Sequence, residues 1–131
     1  MVELLHKDVS DKILKAFYNV YNTLGYGFLE KVYESALMIE LVSAGLLCER
    51  QKPIKVFYKG SVVGEYFADI IVNNCVILEL KAAETLMEEH GFQLLNYLKA
   101  TEIEVGLLLN FGKKAQFKRK IFSNEEKIAH G

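Results

Sequence analysis

Apolar and polar positions along the chain change period several times, and each change marks a new element. Between Asp8 and Leu24 the apolar residues Ile13, Phe17, Val20, Tyr21 and Leu24 recur at helical spacing, which predicts an amphipathic helix. Asp8 or Ser10 can cap its start and Gly25 can stop it. A second helix follows from about Phe28 to Ala44 and ends at Gly45. The period then shortens to that of a strand. "ERQKPIKVFYKG" and "SVVGEYFADIIV" read as two strands joined by a tight turn around Lys59, Gly60 and Ser61. Asn73 and Asn74 make another turn, and "CVILELKA" is a third strand. A third helix occupies roughly Glu88 to Thr101, with Leu94, Tyr97 and Leu98 on one side. "EVGLLLNFG" then reads as a strand buried on both faces, and "QFKRKIF" as a more exposed one.

The resulting order is α-α-β-β-β-α-β-β. A helix crossing between the third and fourth strands implies that these two run parallel, so the expected fold is α/β, a mixed central sheet flanked by helices. Residues 1–122 read as a single domain and residues 123–131, "SNEEKIAHG", as a short tail. Half of the 131 residues are apolar and a quarter are charged, the composition of an ordinary globular chain. No apolar run approaches the ~20 residues that cross a bilayer. The opening "MVELLHKDVS" has no signal-peptide core, so a cytoplasmic location is expected. Cys48 and Cys75 match no metal or redox spacing and read as two buried free thiols. A net charge of −1 provides no global field for nucleic acid, although lysines cluster at 52, 55 and 59 and basic residues again from Lys113 to Lys120.

Against this background "FADIIVNNCVILELKA" stands out, because it places Asp69, Glu79 and Lys81 inside two of the most apolar runs of the chain. An unpartnered buried charge costs several kcal/mol, so such groups either neutralise one another or hold something between them. Strand alternation points Glu79 and Lys81 the same way, and pairing through the Asn73–Asn74 turn brings Asp69 near residues 77 to 79. Two carboxylates so placed repel each other unless a cation intervenes, and hard oxygen ligands suit Mg²⁺ or Mn²⁺. Lys81 can then orient an attacking water or neutralise charge developing on a phosphate. A cross-strand ion pair on a solvated face is the alternative, disfavoured by Ile70, Ile71, Leu78 and Leu80, which make both strands central.

Asp followed ten residues later by Glu-x-Lys resembles the motif of the PD-(D/E)XK nuclease superfamily, whose core is restriction-endonuclease-like. "GFLEKVYESAL" carries Gly27, Glu30 and Tyr33 in the arrangement that names the GxxExxY protein family, a small branch of that superfamily. Gln93 and Tyr97 resemble the Gln-x-x-x-Tyr motif of its exonuclease-like branch. The resemblance runs from about residue 5 to 122. It implies that Asp69, Glu79 and Glu30 bind metal, with the Leu80 carbonyl as a further ligand, and that Lys81 positions the water. It also implies that Gln93, Tyr97 and Tyr33 contact substrate, with a core aromatic an even alternative for Tyr97 and the commoner reading for Tyr33. His90, one turn before Gln93, is a further residue within reach, with a structural role the commoner reading.

The function these residues imply is Mg²⁺-dependent hydrolysis of phosphodiester bonds in nucleic acid, DNA foremost. The rival reading is a binding or assembly module that keeps the nuclease fold without turnover. A homo-oligomer, joined through the first helix or the edge of "QFKRKIF", would combine basic patches from several subunits.

Overall fold

In a computed structural model that describes residues 5–130, two helices come first, α1 (Lys7–Leu24) and α2 (Glu30–Ser43). Strands β1 (Cys48–Tyr58), β2 (Ser61–Val72) and β3 (Val76–Lys81) follow, then α3 (Glu88–Lys99), β4 (Val105–Phe111), β5 (Ala115–Ile121) and α4 (Asn124–His130). The sheet has spatial order β1-β2-β3-β4-β5, with β3 and β4 parallel and every other neighbour antiparallel. This is the mixed sheet expected from the crossover helix, with β3 at its centre.

Each face of the sheet carries its own apolar layer. Ile13, Ala16, Phe17 and Val20 of α1 pack with Tyr33, Leu37 and Leu41 of α2 against Ile70, Val76, Leu78, Leu80, Leu107 and Leu109. On the other face Leu94, Tyr97 and Leu98 of α3 cover Ile54, Ala68, Ile71, Ile77 and Leu108. Phe111 ties the first layer together: it stacks on Tyr33 at 4.3 Å and meets Phe17 edge-on at 4.9 Å. Such pairs contribute ~0.5–1.5 kcal/mol each beyond the area they bury.

Several local expectations need correction. The start of α1 lies at Lys7, after His6 in a left-handed conformation, and neither Asp8 nor Ser10 caps it. Ser10 is buried and its hydroxyl accepts a hydrogen bond from Arg119 of β5, a tertiary bond that competes with capping. The segment read as a tail is the helix α4. Ser123 and Glu126 cap it reciprocally: the Glu126 N–H donates to the Ser123 hydroxyl at 3.1 Å, and the Ser123 N–H to the Glu126 carboxylate at 3.4 Å. Lys127 then donates to the carbonyls of Thr101 and Ile103, both at 2.7 Å, and docks the helix beside the start of β4. The residues 1–4 of the opening segment and Gly131 of the tail lie outside the described residues. Cys48 and Cys75 are half-buried free thiols, the second in the turn before β3. The apolar side of α1 is turned inward, leaving Tyr18 as its exposed large apolar residue; β5 is a sheet edge guarded by Lys118 and Lys120.

Gly112, which follows β4, shows how closely the chain is packed behind the end of β3. A methyl group at this position would lie 2.2 Å from the Ala83 carbonyl oxygen. Gly112→Ala is therefore expected to destabilise the fold by roughly 1–3 kcal/mol, the usual range for forced overpacking. Urea denaturation checks this: the midpoint should fall at constant slope, and an unchanged midpoint would show that the Ala83 loop withdraws freely.

Candidate active site

The site originates in a break of strand alternation. On β2, Ile70 and Val72 face the α1–α2 layer, and Ile71 faces α3. Ala68 should therefore side with Ile70, yet it packs with α3. The facing strand is irregular at the same level: the pairing passes from Arg50–Ile70 to Lys52–Ala68, and Gln51 between them sits at φ 50°. Asp69 lies at this inversion. The β2–β3 ladder also stops here, its last pair being Ile70 with Leu78. Beyond that pair the Leu80 N–H donates to the Asp69 carboxylate at 2.8 Å, and the Asp69 N–H donates to the Glu79 carboxylate at 3.3 Å. Side chains thus replace the next rung of the ladder, and the two acids are held against each other across the parting strands.

Electrostatics follow from that placement. Glu79 is only 5% exposed, and burial, reinforced by the neighbouring Asp69 charge, pushes its carboxyl up to about 8. The Asp69 N–H, Lys81 and their favourable fields offset this only in part. Burial also raises Asp69, while its hydrogen bond from Leu80 works in the opposite direction. Two acids that resist ionising together form a strong demand for a cation.

Residues around the pair divide into those the sequence pointed to and those it did not. Lys81 is half-buried and close enough to lower Glu79. Its strand end is pinned by Asn110, which faces it across β4: the buried Asn110 amide exchanges two hydrogen bonds with the Ala83 backbone, both at 2.9 Å. Tyr97 lies within electrostatic range of the pair, and burial followed by the Glu79 charge pushes its phenol up to about 12. Gln93 donates to the Tyr97 hydroxyl at 3.0 Å. Glu30 stands exposed in the first turn of α2 and acts on both acids through its charge.

Tyr33 does not reach the site. It is fully buried, its hydroxyl donates to the Gly25 carbonyl at 2.6 Å and accepts from the Phe28 N–H, and it braces the turn between α1 and α2. His90 accepts the Met87 N–H on Nδ1 at 3.1 Å and so closes the start of α3.

Sequence reasoning missed a second carboxylate on α2. Glu34 is 7% exposed; it pairs with Arg50 at 2.8 Å and accepts from the Gln51 amide at 2.9 Å. The same Gln51 nitrogen reaches Asp69 at 3.4 Å, so Gln51 links the two acids. The signal was present, because residues 34, 37 and 41 share one helical stripe.

Among the described residues, no three His, Cys, Asp or Glu side chains gather into a metal cage, so Glu30 does not join Asp69 and Glu79 as a third direct ligand in this arrangement. The donor set still fits a small hard cation. Mg²⁺ commonly takes one or two carboxylates and completes its shell with water and substrate phosphate. The half-buried Asp69 and the buried Glu79 offer two such carboxylates, whose charges disfavour each other.

Without a cation, the pair should make stability fall as pH rises. The folded Glu79 holds its proton up to about 8, whereas an unfolded glutamate loses it near 4.5, so the folded state binds more protons between those values. This contribution is complete below the lower value and lost through the upper one. Thermal unfolding in EDTA should show a decline over that interval, on the order of a few kcal/mol at most, given about 1.4 kcal/mol per pKa unit. Glu79→Gln should flatten the profile and be the more stable protein at the alkaline end. A wild-type profile as flat as the variant's would refute the assignment.

The chain resembles known proteins in its sequence profile and in its fold. The sequence profile of the PD-(D/E)XK nuclease superfamily matches residues 7–120. No curated protein is significantly similar in sequence. Among solved structures, the crystal structure of SSO0001 superposes with a TM-score of 0.58 at 18% identity, covering 76% of this chain and 54% of that one, which is a likeness of fold. This chain thus spans about half the length of that protein. With the profile match extending from α1 to β5 and the acidic pair at the end of the β2–β3 ladder, the chain belongs to the PD-(D/E)XK nuclease superfamily.

Proposed function

We propose that this protein is a nuclease that hydrolyses phosphodiester bonds in nucleic acid, DNA foremost, with the help of Mg²⁺ or Mn²⁺. The observation that carries the reading is the forced proximity of Asp69 and Glu79, with Lys81 two residues further along the same strand. Asp69 and Glu79 would hold the cation, with the Leu80 carbonyl beside them. When bound, the ion supplies Lewis acidity at the phosphoryl oxygen and makes water a better nucleophile. Lys81 orients the attacking water and offsets negative charge as the phosphorus is attacked. Glu30 lies within electrostatic range and helps place that water. Glu34 and Gln51 keep Asp69 in position. Gln93 fixes the Tyr97 hydroxyl, which lies within electrostatic range of the acids and is a contact for substrate. The Gly27, Glu30 and Tyr33 arrangement supports assignment to the GxxExxY branch, in which Tyr33 serves the turn and not the substrate.

No helix among the described residues is long and apolar enough to cross a membrane, and with its two free thiols we place the protein in the cytoplasm. A second reading, assembly without turnover, is favoured by the exposed apolar residues Leu29, Ile39, Val42 and Leu47 on and around α2, which would also serve a homo-oligomer.

Titration calorimetry with Mg²⁺ and Mn²⁺, followed by incubation with labelled single- and double-stranded DNA and RNA, separates the two. Wild type should bind cation and cleave. Asp69→Asn and Glu79→Gln should lose both, and Lys81→Ala should bind cation but cleave ~100-fold or more slowly, as expected for a lost general catalyst or charge stabiliser. Failure of wild type to bind either ion or cut any substrate would hand the protein to the assembly reading.

Gln51→Leu tests the support of Asp69. It should weaken Mn²⁺ binding by about 10–100-fold, the cost typical of losing a residue that orients a ligand. Calorimetry on the variant reads this directly, and wild-type affinity would show that Asp69 needs no such tether.

A further inference from the structure

A groove of about 690 Å³ opens between β1–β2 and α3, and its lining includes Lys55, Phe57, Tyr66, Gln93, Tyr97 and Lys99. The part of the hairpin that forms it lies beyond the last β2–β3 pair, so β3 does not cover it. Two aromatic rings are open there: Phe57 is 61% exposed and Tyr66 47% exposed. Tyr66 leans on Tyr97, with ring centroids 5.6 Å apart at 44°, and retains a large free surface. The groove's lining includes Lys99 of α3 and Lys55 of β1, the latter opposite Glu65 in the β1–β2 ladder.

Position links the groove to the acids. Tyr66 precedes Asp69 by three residues on β2, a distance of ~10 Å at the usual rise of a strand. Tyr97 lines the groove and also senses the charges of Glu79 and Asp69. A polymer longer than the groove and continuing past Tyr97 is directed toward the carboxylate pair.

An open aromatic ring beside lysines suits one kind of polymer. Unpaired bases stack on such rings while their phosphates meet the cations. A base inside a duplex is already stacked on both faces and has none to offer Tyr66. The net charge of −1 also provides no long-range field for the many-phosphate grip by which proteins hold duplex. We propose that this groove seats an unpaired stretch of nucleic acid, with a base stacked on Tyr66 and backbone phosphates against Lys55 and Lys99. Single-stranded nucleic acid is then the substrate class. This rests on the nuclease reading for its hydrolytic step, but its binding step can be tested alone.

Fluorescence anisotropy in EDTA, where cleavage does not intervene, measures binding of a labelled oligothymidylate and of a duplex of equal length. Wild type should prefer the single strand. Tyr66→Ala should lose about tenfold in affinity, the scale of one stacked base, whereas Tyr66→Phe should retain it. Lys55→Ala and Lys99→Ala should each reduce the slope of log affinity against log salt by about 0.7. Equal affinity for duplex, or unchanged affinity in a folded Tyr66→Ala, would overturn the proposal. Cleavage assays with Mn²⁺ run in parallel distinguish the two readings. Cutting of duplex that is indifferent to Tyr66 would remove the groove and leave the nuclease. Tyr66-dependent binding of single strands without cutting would support the groove and remove the hydrolytic step. A Tyr66-dependent dimer in sedimentation, with no nucleic-acid binding, would give the groove to a second copy of the chain and overturn the proposal.

Discussion

The bond from the Leu80 N–H to the Asp69 carboxylate occupies the place where the next backbone rung between β2 and β3 would lie, and the site depends on it. A sheet that continued to pair would bury both strands' polar groups in each other and leave no opening. A sheet that parted without compensation would strand a buried N–H, a defect costing ~1–3 kcal/mol. Substituting a side chain for a main-chain acceptor resolves both problems. The strands separate, the donor is satisfied, and an acid is carried into the gap with its second oxygen facing outward to Gln51.

This solution has a cost elsewhere. Glu79 is packed where its charge is unwelcome, and Asp69 makes that worse. The surrounding architecture over-determines the arrangement. Both sheet faces are sealed by helices, the β3–β4 ladder continues in register past Glu79 to Lys81, and Asn110 fastens the loop beyond. Strain of this kind persists at functional sites because the rest of the structure holds it there.

How much of this was legible in the sequence depended on the range of the interaction. The helices and strands were readable within a residue or two, because their apolar periods are local. Asp69, Glu79 and Lys81 were visible as charges out of place in apolar runs. Gln51 was not, because nothing local distinguishes a glutamine on a half-exposed strand; its importance arises from a left-handed backbone and two acids distant in sequence. Asn110 sits in "LLLNFG" as a polar intruder of the same kind as Glu79, and the same test would have found it. Tyr33 is the reverse case. Its spacing fits a motif, but its hydroxyl is committed to the turn beside it. The tail was misread by composition, since Ser123 and Glu126 carry a capping signal that outweighs the polarity of the segment.

The inversion at Asp69 has a mechanical consequence. On the Ile70–Val72 side of Asp69 the β1–β2 ribbon contributes to both layers, whereas on the Ala68 side its buried residues belong to the layer under α3. The ribbon therefore laces the two sides of the molecule together. Arg50, paired with Glu34, ties the inner half of the ribbon to α2. Asp69 stands where the ribbon passes from one layer to the other, so the acid's position is set by the packing of both sides of the sheet at once.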